Sequence, residues 1–259
     1  MTKDSETVPA KETKIRKRQF GLRTLIILFV LLGIVFAICS QAYRRYTRPN
    51  RIADAVSRYG GEFIIEKDDC LASNWLVKFG FEPLSSIRDV TFQNENTLDD
   101  EGLELISGAS EIEYLIVYSD QVTESGLLQL GKLKKLKDVN LSGLQVTDRV
   151  LQSLPKQELE SLYAHATAIT DESCQSLTEA TKLTHLCLGK SKITDDACKS
   201  FGKITSLTYM EIGKNDITDE GLPHLYSLTN LEFIDLVGTK STREGRRKLE
   251  QAVPGLRAF

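Results

Sequence analysis

The stretch that decides the fold is LTHLCLGKSKITDD, residues 183–196, because the same phrase returns through most of the chain. It joins a Leu-x-x-Leu-x-Leu pattern to a polar gap and an Ile-Thr-Asp triplet. The residue in the isoleucine position recurs at steps of 24, 23, 24 and 24, at Val122, Val146, Ile169, Ile193 and Ile217. A fixed period of this length is typical of a stacked repeat, in which each unit buries its apolar face against its neighbours.

Each repeat reads as one strand followed by one short helix. The second and third apolar residues of the Leu-x-x-Leu-x-Leu pattern are two apart, so they share one face of a strand. The Thr-Asp pair precedes the helix, where we expect it to cap free backbone N–H groups and to favour the positive end of the helix dipole. Seven such units begin at Ile87, Ile112, Leu136, Leu159, Leu183, Leu207 and Leu231. The seventh carries Thr242-Arg243 instead of Thr-Asp and has a charged outer side, as a terminal unit should.

The segment directly before the repeats predicts a small helix–strand–helix unit. Apolar residues at helical spacing in 52–59 end at Gly60-Gly61, a short strand follows at 63–65, and a second helix is predicted around Trp75. The first repeat of a solenoid exposes an apolar end that needs covering. Residues 44–86 are therefore interpreted as a basic linker and an N-terminal cap, with an independent functional module as the alternative.

The N-terminal part of the chain predicts a membrane anchor. Residues 1–20 form a polar, basic, disordered head, and residues 21–43 are apolar enough and long enough for one transmembrane helix. A cleaved signal peptide is the alternative, because Ser40-Gln41-Ala42 loosely fits a cleavage site. Basic residues before the span favour a cytoplasmic N-terminus. The expected location is the cell membrane, with residues 87–259 on the non-cytoplasmic side.

Composition excludes several classes of function. The formal net charge is −3, yet residues 1–43 carry seven Lys/Arg against three Asp/Glu, so the remainder is acidic. An acidic domain argues against nucleic-acid binding, which needs a basic face. Five cysteines at irregular spacing, with no C-x-x-C pair, fit neither a disulfide framework nor a zinc motif. Cys174 and Cys198 hold equivalent repeat positions and should be buried as small apolar residues, with a disulfide between them as the alternative.

Two sets of residues carry a resemblance to known families. The Ile-Thr-Asp-x-Gly-Leu phrase at 217–222 resembles the cysteine-containing and bacterial leucine-rich repeats, which implies an α/β fold, a right-handed horseshoe with a parallel concave sheet and short convex helices. The Phe-Gly-Leu-Arg-Thr-Leu phrase at 20–25, the helix ending at Gly60-Gly61 and the Trp75-Leu76 helix resemble single-pass membrane proteins with leucine-rich repeats from planctomycetes. The resemblance covers nearly the whole chain but implies little about function. Leu144 departs from it, because a polar residue usually holds that position.

The strand residues that point away from the core predict a binding surface. They form columns with one residue per repeat, and neighbouring strands lie about 4.8 Å apart, so residues of successive repeats meet. Aromatic and histidine side chains with a few acids suit a protein-binding patch; the alternative is a hydrated face on which tyrosines merely favour strands. The candidate contact residues are Tyr114, Tyr118, Tyr163, His165, His185, Cys187, Tyr209, Glu211 and Phe233.

The sequence predicts no catalytic residues, no metal site and no cofactor. His165 and His185 fall four strand positions apart, on the order of 13 Å, too far to share one metal. Cys187 near His185 lacks an orienting group and an oxyanion site. We therefore expect a non-enzymatic, membrane-anchored protein that binds an unknown protein partner, with no nucleic acid and no small-molecule substrate. The alternative is a structural or self-associating protein of the cell envelope.

Overall fold

The computed structural model describes residues 52–67, 85–92 and 98–259. The predicted basic head, the predicted transmembrane helix and the helix predicted around Trp75 lie outside these ranges. Within the described ranges, no helix has both the length and the apolar character needed to cross a bilayer.

Strands of the described residues form one sheet whose order follows the chain, from β1 to β9. Strand β1 pairs antiparallel with β2, and from β2 onward every neighbouring pair is parallel. The strands are β1 Glu62–Lys67, β2 Ser85–Phe92, β3 Tyr114–Val117, β4 Asp138–Asn140, β5 Ser161–Tyr163, β6 His185–Cys187, β7 Tyr209–Glu211, β8 Phe233–Asp235 and β9 Arg257–Ala258. A parallel ladder needs a crossover between strands, and the repeat supplies one each time.

The crossovers are short helices, as the sequence predicts. A repeat of about 24 residues leaves room for one or two helical turns after its strand and loops. The α-helices are α1 at 52–58, α2 Asp100–Ser107, α3 Glu124–Leu127, α4 Asp148–Ser153, α5 Asp171–Cys174, α6 Asp195–Phe201 and α7 Arg243–Ala252. Two 3-10 turns continue α3 and α5, at Leu128–Lys132 and Gln175–Glu179, and a third, at Leu222–Leu225, lies in the crossover from β7 to β8. The predicted parallel sheet with short helices is confirmed.

One continuous apolar core runs between the sheet and the helices. The middle residue of each parallel strand points into it and is almost fully buried, at Val90, Leu115, Val139, Leu162, Leu186, Met210 and Ile234. Cys174 and Cys198 are buried in the same core as free thiols, so the apolar interpretation is confirmed and the disulfide is absent.

The two ends of the sheet are finished differently. At the N-terminal end, α1 buries Val56 against the first repeat, and Gly61 lies so close that an added Cβ would be 2.6 Å from the ring of Phe92. At the C-terminal end, β9 adds an eighth parallel strand that the sequence analysis did not predict, with Phe259 donating its N–H to the Ile234 carbonyl. The seventh unit is therefore followed by a further short strand rather than ending the sheet.

The Thr-Asp pair begins the helix as predicted, with the threonine as the cap and the aspartate in the first turn, as at Thr194 and Asp195. The Thr194 hydroxyl accepts the Asp196 N–H. The aspartate also makes a contact that was not predicted, because its side chain reaches the following repeat: Asp171 accepts the N–H of Thr194 at 2.7 Å and its hydroxyl at 2.6 Å. We call this row the Asp–Thr seam. Its five pairs are Asp100–Thr123, Asp148–Thr170, Asp171–Thr194, Asp195–Thr218 and Asp219–Thr242.

The seam explains one glycine. A Cβ at Gly221 would lie 2.3 Å from Oδ1 of Asp195, so glycine there makes room for the neighbouring carboxylate. The first and seventh repeats depart from the Thr-Asp pair. Asp99 holds the threonine position of the first repeat and accepts the Gly102 N–H, and Arg243 holds the aspartate position of the seventh.

A second polar row follows the strands, and it is interrupted where the sequence predicts. Thr167 donates its hydroxyl to the Ala164 carbonyl and also lies 3.1 Å from the Ser191 hydroxyl. The Asn215 amide donates to the Leu188 carbonyl of the preceding repeat. Leu144 is buried at the equivalent position and has no polar side-chain atom to contribute. Next to this row, one residue of the loop has a left-handed backbone conformation. That residue is Gly143 in one repeat and Lys190 (φ 54°) in another.

Candidate functional site

The sheet has one face turned away from the core, and we call it the open sheet face. Parallel strands lie about 4.8 Å apart, whereas packed helices need about 8–10 Å. The sheet side is therefore the shorter, inner side of the stack, which is the physical basis for the concave face expected from the sequence. Side chains at the first and third positions of each strand point to this face, because successive strand residues alternate.

The observed register places the predicted residues in the predicted columns. The first column is Tyr114, Asp138, Ser161, His185, Tyr209 and Phe233, and the second is Ile116, Asn140, Tyr163, Cys187, Glu211 and Asp235. Tyr118 and His165 come two residues after the second column, in the third. The pairing confirms the first two columns, whereas the role of these residues in binding a partner stays a prediction.

The C-terminal half of the open sheet face carries a continuous stack of rings. His185 and Tyr209 stack with centroids 5.6 Å apart, and Tyr209 and Phe233 stack at 4.7 Å with an interplanar angle of only 4°. Phe259 extends the stack, 5.3 Å from Phe233. Phe259 was not among the candidate residues, because the strand that presents it was not predicted from the sequence. Stacked rings hold one another rigid, so this half offers a preorganised surface of ring edges.

The N-terminal half contains a cavity of about 330 Å³ instead of a stack. Side chains from three neighbouring strands line it: Tyr114, Ile116, Asp138, Asn140 and Tyr163. Tyr114 is 40% exposed. Burial, followed by the charges of nearby groups that include Asp138, raises the pKa of the Tyr163 hydroxyl, so this phenol stays neutral. The two halves of one sheet face thus differ in shape: one is a recess and the other a ridge.

Cys187, Glu211 and His165 meet near the middle of the face. His165 Nδ1 lies 3.4 Å from Glu211 Oε1, although the two residues belong to repeats two apart. Gly189 lies between them, and a Cβ there would be 2.8 Å from His165 Nδ1, so glycine permits the contact. Cys187 occupies the expected column, but its side chain is only 4% exposed. Cys187 therefore packs beneath the surface residues, and its thiol is not accessible to a partner.

Cys187 is poorly suited to act as a nucleophile, and the histidines of the face do not converge on a common site. Burial, together with the charge of Glu211 and a hydrogen bond to it, raises the pKa of Cys187 to about 12, and a protonated thiol is a poor nucleophile. The two histidines have different partners, since His165 contacts Glu211 and His185 stacks on Tyr209. Across the described ranges, no group of three potential ligands is arranged to hold a metal ion.

A larger cavity, of about 590 Å³, opens at the border of the sheet near β9. Three of its polar side chains already bond the backbone. Ser206 donates to the Leu183 carbonyl, Thr208 to the Thr184 carbonyl and the Asn230 amide to the Thr205 carbonyl. These three groups join neighbouring repeats, whereas the stacked rings lie on the open sheet face, which is therefore the stronger candidate.

Comparison with known proteins supports the repeat type. The family described as Leucine Rich repeat matches residues 203–222, and no curated protein matches the chain. Internalin C2 of Listeria monocytogenes is 22% identical, with a TM-score of 0.52, over 67% of this chain and 70% of that one. A leucine-rich-repeat protein of Leptospira interrogans is 20% identical, with a TM-score of 0.50, over 65% of this chain and 41% of its own length.

At these identities the likeness shows the fold alone. The strand–helix units of this chain stack as those of leucine-rich-repeat proteins do, which confirms the repeat type predicted from the Ile-Thr-Asp phrase. The chain spans less than half the length of the Leptospira protein. The planctomycete-type and single-pass features of the resemblance stay predictions.

Proposed function

We propose that this chain is a non-enzymatic protein-binding module, attached to the cell membrane by residues 21–43, which contacts a protein partner through its open sheet face. The fold supports the general class, since stacked repeats commonly present an extended surface to a partner. The membrane attachment rests on the length and apolar character of residues 21–43, and the non-cytoplasmic placement rests on the basic residues that precede them.

One observation carries the proposal: aromatic side chains are concentrated on the face where the fold does not need them. The ring stack from His185 to Phe259 and the exposed Tyr114 and Tyr118 all lie on the open sheet face. Rigid rings contribute large contact area at low cost in side-chain entropy, and tyrosine is enriched at the energetic centres of interfaces. Exposures of 39–40% leave Tyr114 and Tyr118 accessible to a partner.

Site-specific photo-crosslinking in cells tests this proposal with the full chain. A benzoylphenylalanine in place of Tyr118 reports on the open sheet face, and one in place of Lys203, which is exposed on the helix side, is the matched control. We expect one discrete adduct with a different protein from position 118, and its loss in the Tyr163→Ala/Tyr209→Ala variant.

Two results would oppose the proposal. Equal adducts from positions 118 and 203 would show no preference for the face. Adducts between copies of this chain alone would favour the structural, self-associating alternative. Protease protection of tags at both ends, on intact and on lysed cells, separately tests the attachment and its orientation. A tag lost from the N-terminus would support the cleaved signal peptide instead.

A further inference from the structure

We propose that the recess formed by Tyr114, Ile116, Asp138, Asn140 and Tyr163 binds a lysine or arginine side chain on an extended basic segment of the partner protein. The inference rests on the proposed function and adds the chemistry of the partner to it. The recess holds about 330 Å³, near the lower end of the range for small-ligand pockets, which suits a single long side chain.

The walls of the recess suit a cation. Tyr114 of β3 and Tyr163 of β5 lie on strands that flank β4, and the Asp138 side chain comes from the strand between them. A ring face attracts a cation through its quadrupole, and more strongly when the cation is partly desolvated. An aromatic wall with a carboxylate beside it therefore favours an ammonium or guanidinium group over an anion.

The polar groups of the recess differ in whether they are already hydrogen-bonded to other side chains. Asn140 is committed, since its amide donates to the Tyr118 hydroxyl and its carbonyl accepts the Ser142 N–H, both at 3.0 Å. The Asp138 carboxylate, by contrast, has no hydrogen bond or ion pair with any side chain that the structure describes. It is the group in the recess that a charged ligand would meet.

Nearby cations do not neutralise the recess. Lys137 pairs with Glu113 at 2.6 Å, and Arg88 lies 3.6 Å from the same carboxylate. Neither of these ion pairs involves Asp138. Within the described ranges, no lysine or arginine forms an ion pair with the Asp138 carboxylate.

The rest of the open sheet face continues the same chemistry. Glu211 and Asp235 follow in the second column, directly beside the stacked rings of Tyr209 and Phe233. A segment that crosses the parallel strands would pass from an acidic, aromatic recess to an acidic, aromatic ridge. Charge complementarity thus points to a partner segment with several lysines or arginines, since electrostatic matching sets specificity and association rate.

Fluorescence anisotropy with the full chain in detergent micelles tests the inference. The probe is a fluorescein-labelled peptide of alternating serine and lysine, compared with the same peptide carrying norleucine in place of lysine. We expect the lysine peptide to bind more tightly by roughly tenfold, since a tenfold ratio corresponds to about 1.4 kcal/mol. Similar affinities for both peptides would overturn the assignment of a cation.

Three variants locate the binding. Asp138→Asn, which keeps size and shape, should weaken the lysine peptide about fivefold, and Tyr163→Leu should do the same, whereas Tyr163→Phe keeps an aromatic ring and should change binding less than twofold. Glu104→Gln removes the same charge from the helix side, where Glu104 is exposed, and should leave binding nearly unchanged. An equal loss in Glu104→Gln would show general attraction between an acidic protein and a basic peptide, and would overturn the site. Unfolding midpoints confirm that every variant is folded.

The test separates this inference from the proposed function. A partner adduct from position 118 that persists in Asp138→Asn would mean that the face binds its partner without this recess. The inference would then be wrong while the proposed function stood. The lack of any preferential adduct from the open sheet face would instead oppose the proposed function itself.

Discussion

The Asp–Thr seam and the open sheet face both run along the stacked repeats. The residue types are repeated along the seam, whereas they vary along the face. Along the seam the same pair returns in almost every unit, and each carboxylate binds the N–H and the hydroxyl of the next threonine at 2.6–2.8 Å. On the face the residue type changes with every strand, from Tyr114 to Asp138 to Ser161.

This difference separates structural positions from candidate functional ones. A side chain whose partner lies in the next repeat must be repeated, because each unit makes the same contact. A face residue has no such constraint, so its identity is free to match something outside the chain. Substitutions in the seam or core should therefore lower stability, whereas substitutions on the face should leave the fold intact and change binding.

The largest effect is expected in the core beneath the face. Leu188→Asp buries a charge without a partner at a fully buried position, and we expect a loss of about 4 kcal/mol or more in the free energy of unfolding. The matched control is Val237→Asp, one residue past the buried Leu236 and 53% exposed, which should change stability by less than about 0.5 kcal/mol. Chemical denaturation measures both, and equal losses would erase the distinction between core and face.

Two adjacent aspartates give a sharper test of the seam. Asp195→Ala removes two hydrogen bonds to Thr218 in the next repeat, which should cost about 2 kcal/mol, because hydrogen bonds to charged groups are the stronger kind. Asp196→Ala removes only an exposed ion pair with Lys199, which should cost less than about 0.5 kcal/mol. If denaturation midpoints of the two variants coincide, the bonds between repeats contribute no more than a surface pair.

A smaller effect, and a gain, is expected in the left-handed turns. Lys190 has a φ of 54° where another repeat has Gly143, and a left-handed backbone costs a residue with a side chain about 1–2 kcal/mol. Lys190→Gly relieves that cost but adds freedom to the unfolded chain, so we expect a net gain of about 0.5 kcal/mol. A thermal midpoint below that of the wild type would show that the lysine side chain contributes contacts that outweigh the strain.

The smallest effect is the pH dependence of one exposed seam residue. Hydrogen bonds from the Thr242 hydroxyl and N–H lower the pKa of Asp219 below its ordinary 3.8. Because the folded-state pKa is depressed, this contribution is present above the ordinary value and is lost as pH falls through the folded-state value. The stability difference between wild type and Asp219→Asn should therefore be constant from about pH 5 to 7 and shrink below about pH 4. A difference that is independent of pH would contradict the charge-assisted bond.

Some features of the face could be predicted and others could not, for one physical reason. The columns follow from alternation along a strand and a constant repeat length, both of which are local. The contact of His165 with Glu211 across Gly189 depends on how far one repeat is offset from the next and on side-chain rotamers. The burial of Cys187 has the same origin, since neighbouring side chains cover it.

The sequence by itself determined the period, the parallel strands, the buried positions and the columns of the open sheet face, because the spacing of apolar residues identifies the buried side of each strand and helix. Only the tertiary structure decided that aspartates also join neighbouring repeats, that β9 carries the ring stack to Phe259, and that a recess and a ridge divide one face. Those features join residues that are distant in the chain, and distances of that kind are set by packing.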